Sequence, residues 1–222
     1  LDEARRRPGS NIPVPQQAFR SQLAAQLGLD EEALPFVAEL VEVRPEAQPW
    51  RGAIERAIGS ERLRILVDPA HAAAALAWVE GRDNRLHVRI HEASASAEPI
   101  RFFEDGFTRK LNFKQHPQRE AVKRLLAGID RHCVDGVQSL RRTPHAMTVQ
   151  GLMSGRQGHF DKQDQKPLDR DWMTGFDNRD QLARLEAALS EASQAHEACL
   201  AEFRQARARA ALVRIGGHAQ LS

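Results

Sequence analysis

Little in this chain points to a role by its presence alone. Two cysteines, Cys133 and Cys199, no tyrosine and an aromatic content of 5% stand against 222 residues. Two distant cysteines make no disulfide framework, and each falls on the apolar side of a helical pattern, where a small buried thiol is the ordinary role. No apolar run approaches the roughly eighteen residues of a membrane-spanning helix, and no signal-peptide pattern opens the chain. A soluble, cytoplasmic protein without a membrane partner is therefore expected. Basic residues outnumber acidic ones by 32 to 30, and a net charge of +2 excludes a polycation that coats nucleic acid along its whole length. The phosphate loop G-x-x-x-x-G-K-[ST] is missing. Met153-Ser154-Gly155-Arg156-Gln157-Gly158 has neither the Lys nor the following helix, and it reads as a hairpin turn between 147–152 and 159–162. No nucleophile, base and orienting group can be assembled, so the segment is not expected to be an enzyme.

The strongest positive pattern lies in the last fifth. Leu182, Leu185, Leu189, Ala192, His196, Cys199, Phe203, Ala206, Ala210 and Val213 recur at alternating steps of three and four. Such a stripe stays on one side of a long helix and is buried only by a second helix laid alongside it. Asp177 is placed to cap this helix, which begins near Asn178. The chain opens on Leu1 and runs through Asp2-Glu3-Ala4-Arg5-Arg6-Arg7 into Pro8-Gly9, as the tail of another helix would, so a segment of a longer chain is expected.

Between these ends lies material for one ordinary domain, with 41% hydrophobic residues to build a core without disulfide or metal. Residues 16–28 read as a helix carrying Phe19, Leu23 and Leu27, and 36–43 as an apolar strand. A helix with Trp50, Ile54, Ala57 and Ile58 on one face follows Pro49 and ends at Gly59. Leu63, Ile65 and Val67 then alternate as a strand. Pro69 opens a third helix that presents Ala73, Leu76, Ala77 and Trp78, and Leu86, Val88 and Ile90 alternate after it. This order implies a mixed α/β layer with some parallel pairing, because a crossover helix returns the chain in the same direction.

From Phe102 onward basic residues gather: Arg109, Lys110 and Lys114, then Arg119, Lys123 and Arg124 outside the buried face of a helix whose apolar side runs Val122, Leu125, Leu126, Ile129 and Cys133, then Arg141 and Arg142. A charge run is either a solvated surface or a set of weak phosphate contacts, and both readings stand here. His159, Asp161, Asp164, Asp169 and Asp171 are dense, but they sit in a loop-like stretch with no second cluster fixed on a helix or strand, so no metal is assigned. His87 and His91 share one face of the last strand.

Several separated blocks carry a resemblance. Leu34 to Val43, then Trp50-Arg51-Gly52-Ala53-Ile54-Glu55-Arg56-Ala57-Ile58, then Leu63 to Val67 resemble the hinge region of the MukB-like SMC ATPases, especially the MksB and JetC (Wadjet) branch. Phe107 to Phe113, Arg141 to Thr148, His159 to Asp164 and Gly175-Phe176-Asp177-Asn178-Arg179 follow in the order of that family. The resemblance implies an SMC-hinge-like α/β domain, a mixed sheet with flanking helices, continued by a long C-terminal coiled-coil helix. It divides the chain into the end of an incoming arm at 1–9, a hinge at 10–176, an outgoing arm at 177–215 and a tail at 216–222. The implied role is homodimerisation that joins coiled-coil arms in a condensin-type machine for chromosome segregation or plasmid defence, with kleisin-type and accessory subunits. ATP and Mg would belong to heads outside this segment, which itself needs no cofactor. Auxiliary non-specific contact with double-stranded DNA falls to the eight basic residues just named. Leu63, Ile65, Trp78, Leu86, Val88 and Ile90 are the candidate dimer contacts. Two other classes compete: a stand-alone nucleic-acid-binding module, and a metal-dependent phosphoesterase using residues 159–171.

Overall fold

Proline and glycine set the ends of the first helices. The computed structural model describes residues 10–156, 158–170 and 172–218. In it α1 (Val14–Leu27) follows Pro13 and stops at Gly28, whose φ of 67° satisfies the last carbonyls from the left-handed region. Helix α2 (Arg51–Ile58) ends at Gly59, and α3 (Pro69–Glu80) begins with the Asp68 carboxylate accepting from the Ala70 N–H at 2.9 Å. The remaining helices are α4 (Arg119–Ala127), α5 (Val137–Arg142) and α6 (Arg179–His218). Among the described residues none is long and apolar enough to cross a membrane.

The strands are short and form three small sheets. Strand β1 (Val41–Val43) pairs antiparallel with β4 (Leu111–Phe113), and β2 (Ile65–Val67) pairs parallel with β3 (Ile90–Glu92) across α3. Strands β5 (His132–Cys133), β6 (Ala146–Met147), β7 (Leu152–Ser154) and β8 (Phe160–Lys162) form the third sheet in that order, β5 and β6 parallel across α5 and the rest antiparallel. The mixed α/β class, the crossover of α3 between β2 and β3 and the turn at Gly155 to Gly158 are as read from the sequence, whereas the stretch read as one strand at 147–152 is divided between β6 and β7, and β1 pairs with β4 rather than with β2.

The two halves repeat one design. The Val37 N–H donates to the Arg64 carbonyl at 3.0 Å, and the Phe107 N–H to that of Arg131 at 3.0 Å. Leu66 and Cys133 donate to Pro35 and Asp105 at 2.9 and 3.0 Å, and Ile65 and His132 donate to Arg89 and His145 at 2.9 and 2.8 Å. At the join, the Arg44 N–H reaches Lys110 and the Lys114 N–H reaches Leu40, both at 2.9 Å. The β1–β4 pair therefore joins two similar halves about an approximate twofold.

Burial corrects several sequence expectations. Residues 37–40 form a 3-10 turn before β1, because the Glu39 side chain folds back to accept from the Phe36 N–H at 3.0 Å. Strand β2 is buried on both faces: Leu66 faces the core of Val41, Ile54, Phe107 and Leu126, while Ile65 and Val67 face that of Phe19, Leu23, Phe36 and Ala75. Ile65 is 2% exposed and so has no surface to offer a partner. Helix α3 buries Ala72 and Ala75, while Ala73, Leu76 and Ala77 point outward, Leu76 being 53% exposed. Only Ile90 of the alternating Leu86, Val88 and Ile90 lies within a strand, so His91 but not His87 is on β3. Gly128 stops α4, and Cys133 belongs to β5 rather than to a helix. Burial pushes the Cys133 thiol up to about 12, whereas Cys199 is exposed. A thiol reagent at neutral pH should therefore modify one cysteine per folded chain, Cys199, and reach Cys133 only in denaturant, which mass spectrometry of the labelled peptides would check.

The described residues fall into two compact units divided between Asn178 and Arg179. The second is α6, whose first helical residue is Arg179, so Asn178 rather than Asp177 immediately precedes it. It runs to His218, past the boundary expected at 215. Along it Leu185, Leu189 and Phe203 are 37%, 54% and 63% exposed, and Ala192, His196, Cys199 and Ala206 are exposed too, while Leu182 is half-buried. The seam is thus uncovered over most of its length. The side chains of Ala210 and Val213 lie outside the described residues, as does the expected incoming arm at 1–9.

Candidate functional site

The points where the chain enters and leaves the first unit are tied together. The Asn11 side chain donates from Nδ2 to the Asp177 carbonyl at 3.2 Å, and the Gly175 N–H donates to Ala38 at 3.2 Å. Gly175 has φ of 149°, and a Cβ there would press on the Asp177 carbonyl and on Asn11 Nδ2, so glycine is required for this approach. The entering segment is held by Ser10, whose hydroxyl donates to Glu39 at 2.6 Å. Glu39 in turn pairs with Arg20 at 2.6 Å.

The leaving segment is held by a buried carboxylate. Glu55 on α2 is 3% exposed; its Oε1 accepts from the N–H groups of Met173 and Thr174 at 3.1 and 2.9 Å and from the Thr174 hydroxyl at 2.6 Å. Its Oε2 accepts from Arg62 at 2.8 Å. One turn away Arg51 donates to the Thr174 carbonyl at 3.2 Å and lies over the Trp172 ring at 4.3 Å. Burying an Arg and a Glu one turn apart is tolerable because both are engaged. The sequence signal for this, charged residues at 51 and 55 beside the apolar stripe of α2, was present but reads equally as a solvated pair.

Two sheet ends face outward. Among the described residues no strand pairs on the far side of β3 or of β8. In the repeated design β6 corresponds to β3, and its far side is covered by β7, so β3 lacks the neighbour its counterpart has. Of the expected dimer contacts, Leu63, Trp78, Leu86, Val88 and Ile90 are half-buried around β3. Burial, with Arg64 beside it, lowers the His91 pKa and leaves the imidazole neutral at pH 7. At the other end Phe160 on β8 is 43% exposed.

The basic residues do not form one face of free charge. Arg109, Lys110 and Lys123 lie over Phe102, Trp50 and Phe113 at 5.8, 5.1 and 5.9 Å. Lys123 also pairs with Glu120 at 2.6 Å, Arg119 donates to Gln115 at 3.3 Å, and Arg124 donates to the carbonyls of Glu98 and Ser96 at 3.0 and 3.2 Å. Lys114 is exposed, and Arg141 and Arg142 line a shallow exposed pocket beside Gln138. The acidic stretch after β8 is drawn to cations: Asp164 pairs with Lys162 at 2.8 Å and Arg56 at 3.0 Å, which together hold its carboxyl below the usual range. Among the described residues no three His, Cys, Asp or Glu side chains are grouped to hold a metal ion. Asp171 lies outside them.

No protein-family model matches this chain, and no curated protein does. Among solved structures it is similar to the Pyrococcus furiosus Smc hinge domain with an extended coiled coil, at 18% identity and a TM-score of 0.49 over 81% of this chain. This chain spans 64% of the length of that one. It is also similar to the Pyrococcus furiosus SMC protein hinge domain, at 16% identity and a TM-score of 0.47 over 68% of this chain and 86% of that one. An asymmetric dimer of the Geobacillus stearothermophilus SMC hinge domain gives 15% identity and a TM-score of 0.45 over 81% and 86%.

Proposed function

We propose that this segment is a homodimerising hinge that joins coiled-coil arms. The observation that carries the reading is the hydrogen-bonded approach of Asn11 to Asp177, two residues before a 40-residue helix with an uncovered apolar seam. A domain that fastens its own entry and exit side by side is built to continue as two adjacent strands of chain, and the seam calls for a second helix. The chain preceding Ser10 is the nearest candidate for that helix.

The dimer contact is assigned to the sides of β3 and β8 that no described strand pairs; on β3 the Ile90 carbonyl accepts from Arg64 at 3.3 Å and the Glu92 carbonyl from the Ser94 N–H at 2.9 Å, and a partner strand would displace these contacts. One outward edge on each half lets two copies satisfy both edges at once in a closed twofold pair. The finer reading, a MukB-like SMC ATPase of the MksB or JetC branch in the cytoplasm, with kleisin-type partners, rests on the ordered sequence blocks. Non-specific contact with double-stranded DNA falls to Arg109, Lys114, Arg141 and Arg142, which the structure leaves exposed.

Sedimentation over a wide concentration range tests the hinge. A dimer is expected, retained in Leu189→Glu, which disturbs the seam, and weakened in Lys162→Pro. The register of β7 with β8 turns the Lys162 N–H away from β7, so proline there spares the ladder while removing an edge donor. A monomeric wild type, or a dimer lost in Leu189→Glu and kept in Lys162→Pro, would refute the assignment.

A further inference from the structure

A cleft of about 290 Å³ runs between α2 with its following turn and the loop that precedes Trp172. Among the described residues four of its lining side chains are cationic, Arg56, Arg62, Lys166 and Arg170, and one is acidic, Glu55, whose oxygens are committed to Arg62, Met173 and Thr174. We propose that this cleft binds a phosphate group, held between Arg56 from below and Lys166 and Arg170 from the rim.

Three observations lead there. The Arg56 side chain is 12% exposed and pre-set, donating through Nη1 to Asp164 and through Nη2 to the Lys166 carbonyl. A guanidinium is a five-donor fork, which two contacts do not exhaust, and a fixed fork loses little freedom on meeting a tetrahedral oxyanion. The anion now on Arg56 is an exposed carboxylate, 58% accessible, carried by the loop itself. Asp164 therefore occupies the cation as an internal stand-in that a stronger oxyanion displaces. Finally, cations from two separate segments line the one cleft, Arg56 and Arg62 from α2 and its following turn and Lys166 and Arg170 from the loop, so their potentials add at its mouth.

Trp172 reports on the cleft, because its indole N–H donates at 2.7 Å to the carbonyl of Leu168, a lining residue. The test is titration of the whole chain with inorganic phosphate at constant ionic strength, followed by calorimetry and by tryptophan fluorescence, with Trp172→Phe to assign the optical change. Saturable binding is expected. It should weaken about tenfold or more in the double variant Lys166→Ala, Arg170→Ala, whose residues are exposed, in line with the loss of charge-assisted contacts. Asp164→Asn, which removes the internal competitor, should tighten it. A parallel titration with short duplex DNA identifies the source: the same Trp172 change assigns the phosphate to a nucleic-acid backbone, and its absence assigns it to a small free anion. No saturable response to phosphate, or one unaltered in both variants, would overturn the proposal.

Discussion

Replacing Glu55 by Ala should cost about 3–5 kcal/mol of stability, the range for breaking a buried ion pair from one side. The carboxylate is 3% exposed and accepts from Met173, Thr174 and Arg62, so its loss strands backbone donors and a largely buried guanidinium together. Glu55→Gln keeps one acceptor oxygen and the same volume and should cost less. Urea unfolding of the two variants would show the ordering as a lowered midpoint with an unchanged slope. Hydrogen exchange would localise the damage: the amides of Met173 and Thr174 should lose protection first, while β1 and β4 keep theirs. A cost below about 1 kcal/mol would mean that the exit segment is held by Arg51 and Gly175 instead.

Asp130 should prove nearly as costly, although among the described residues no cation is paired with it in the way Arg62 is with Glu55. It is 5% exposed and accepts from the N–H groups of Phe103, Thr108 and Arg131 at 3.0, 3.2 and 2.9 Å, and from the Thr108 hydroxyl at 2.7 Å. Gly106 packs against it so closely that any Cβ there would strike the carboxylate. Hydrogen bonds to a charged group contribute about 1.5–3 kcal/mol each, so Asp130→Ala should cost about 3 kcal/mol or more. Thr108→Val, which removes one of these donors, should cost about 1–2 kcal/mol. The two effects should not add, since both substitutions break the same bond, and a double-mutant cycle should return a coupling of about 1 kcal/mol. Strict additivity would show that Thr108 acts independently of Asp130.

These two carboxylates mark the boundary between what was readable and what was not. Helices α1 to α3 are announced by local chemistry, with Pro49 and Pro69 near the starts of two and Gly28 and Gly59 at two of their ends, but on α3 the apolar spacing named the outward side, and Ala72 and Ala75 are the residues it buries. The hairpin of β7 and β8 is announced by Gly155 and Gly158, and the seam of α6 by its own period. The basic residues were legible as residues but not as a site. Whether Lys110 meets solvent or lies over Trp50 depends on chain that is distant in sequence.

By itself the sequence determined the α/β class, helices α1 to α3 with the crossover between β2 and β3, and a long helix with an apolar stripe, because each rests on periodicity and end signals within a few residues. Tertiary structure alone decided that β2 is buried on both faces, that Cys133 is in a strand, that the two halves repeat one hydrogen-bond design, and that Asn11 meets Asp177. The physical reason is common to all four. A short strand has too few residues for its period to show which faces are covered, and a hydrogen bond across more than a hundred residues leaves no mark in the local spacing of either partner.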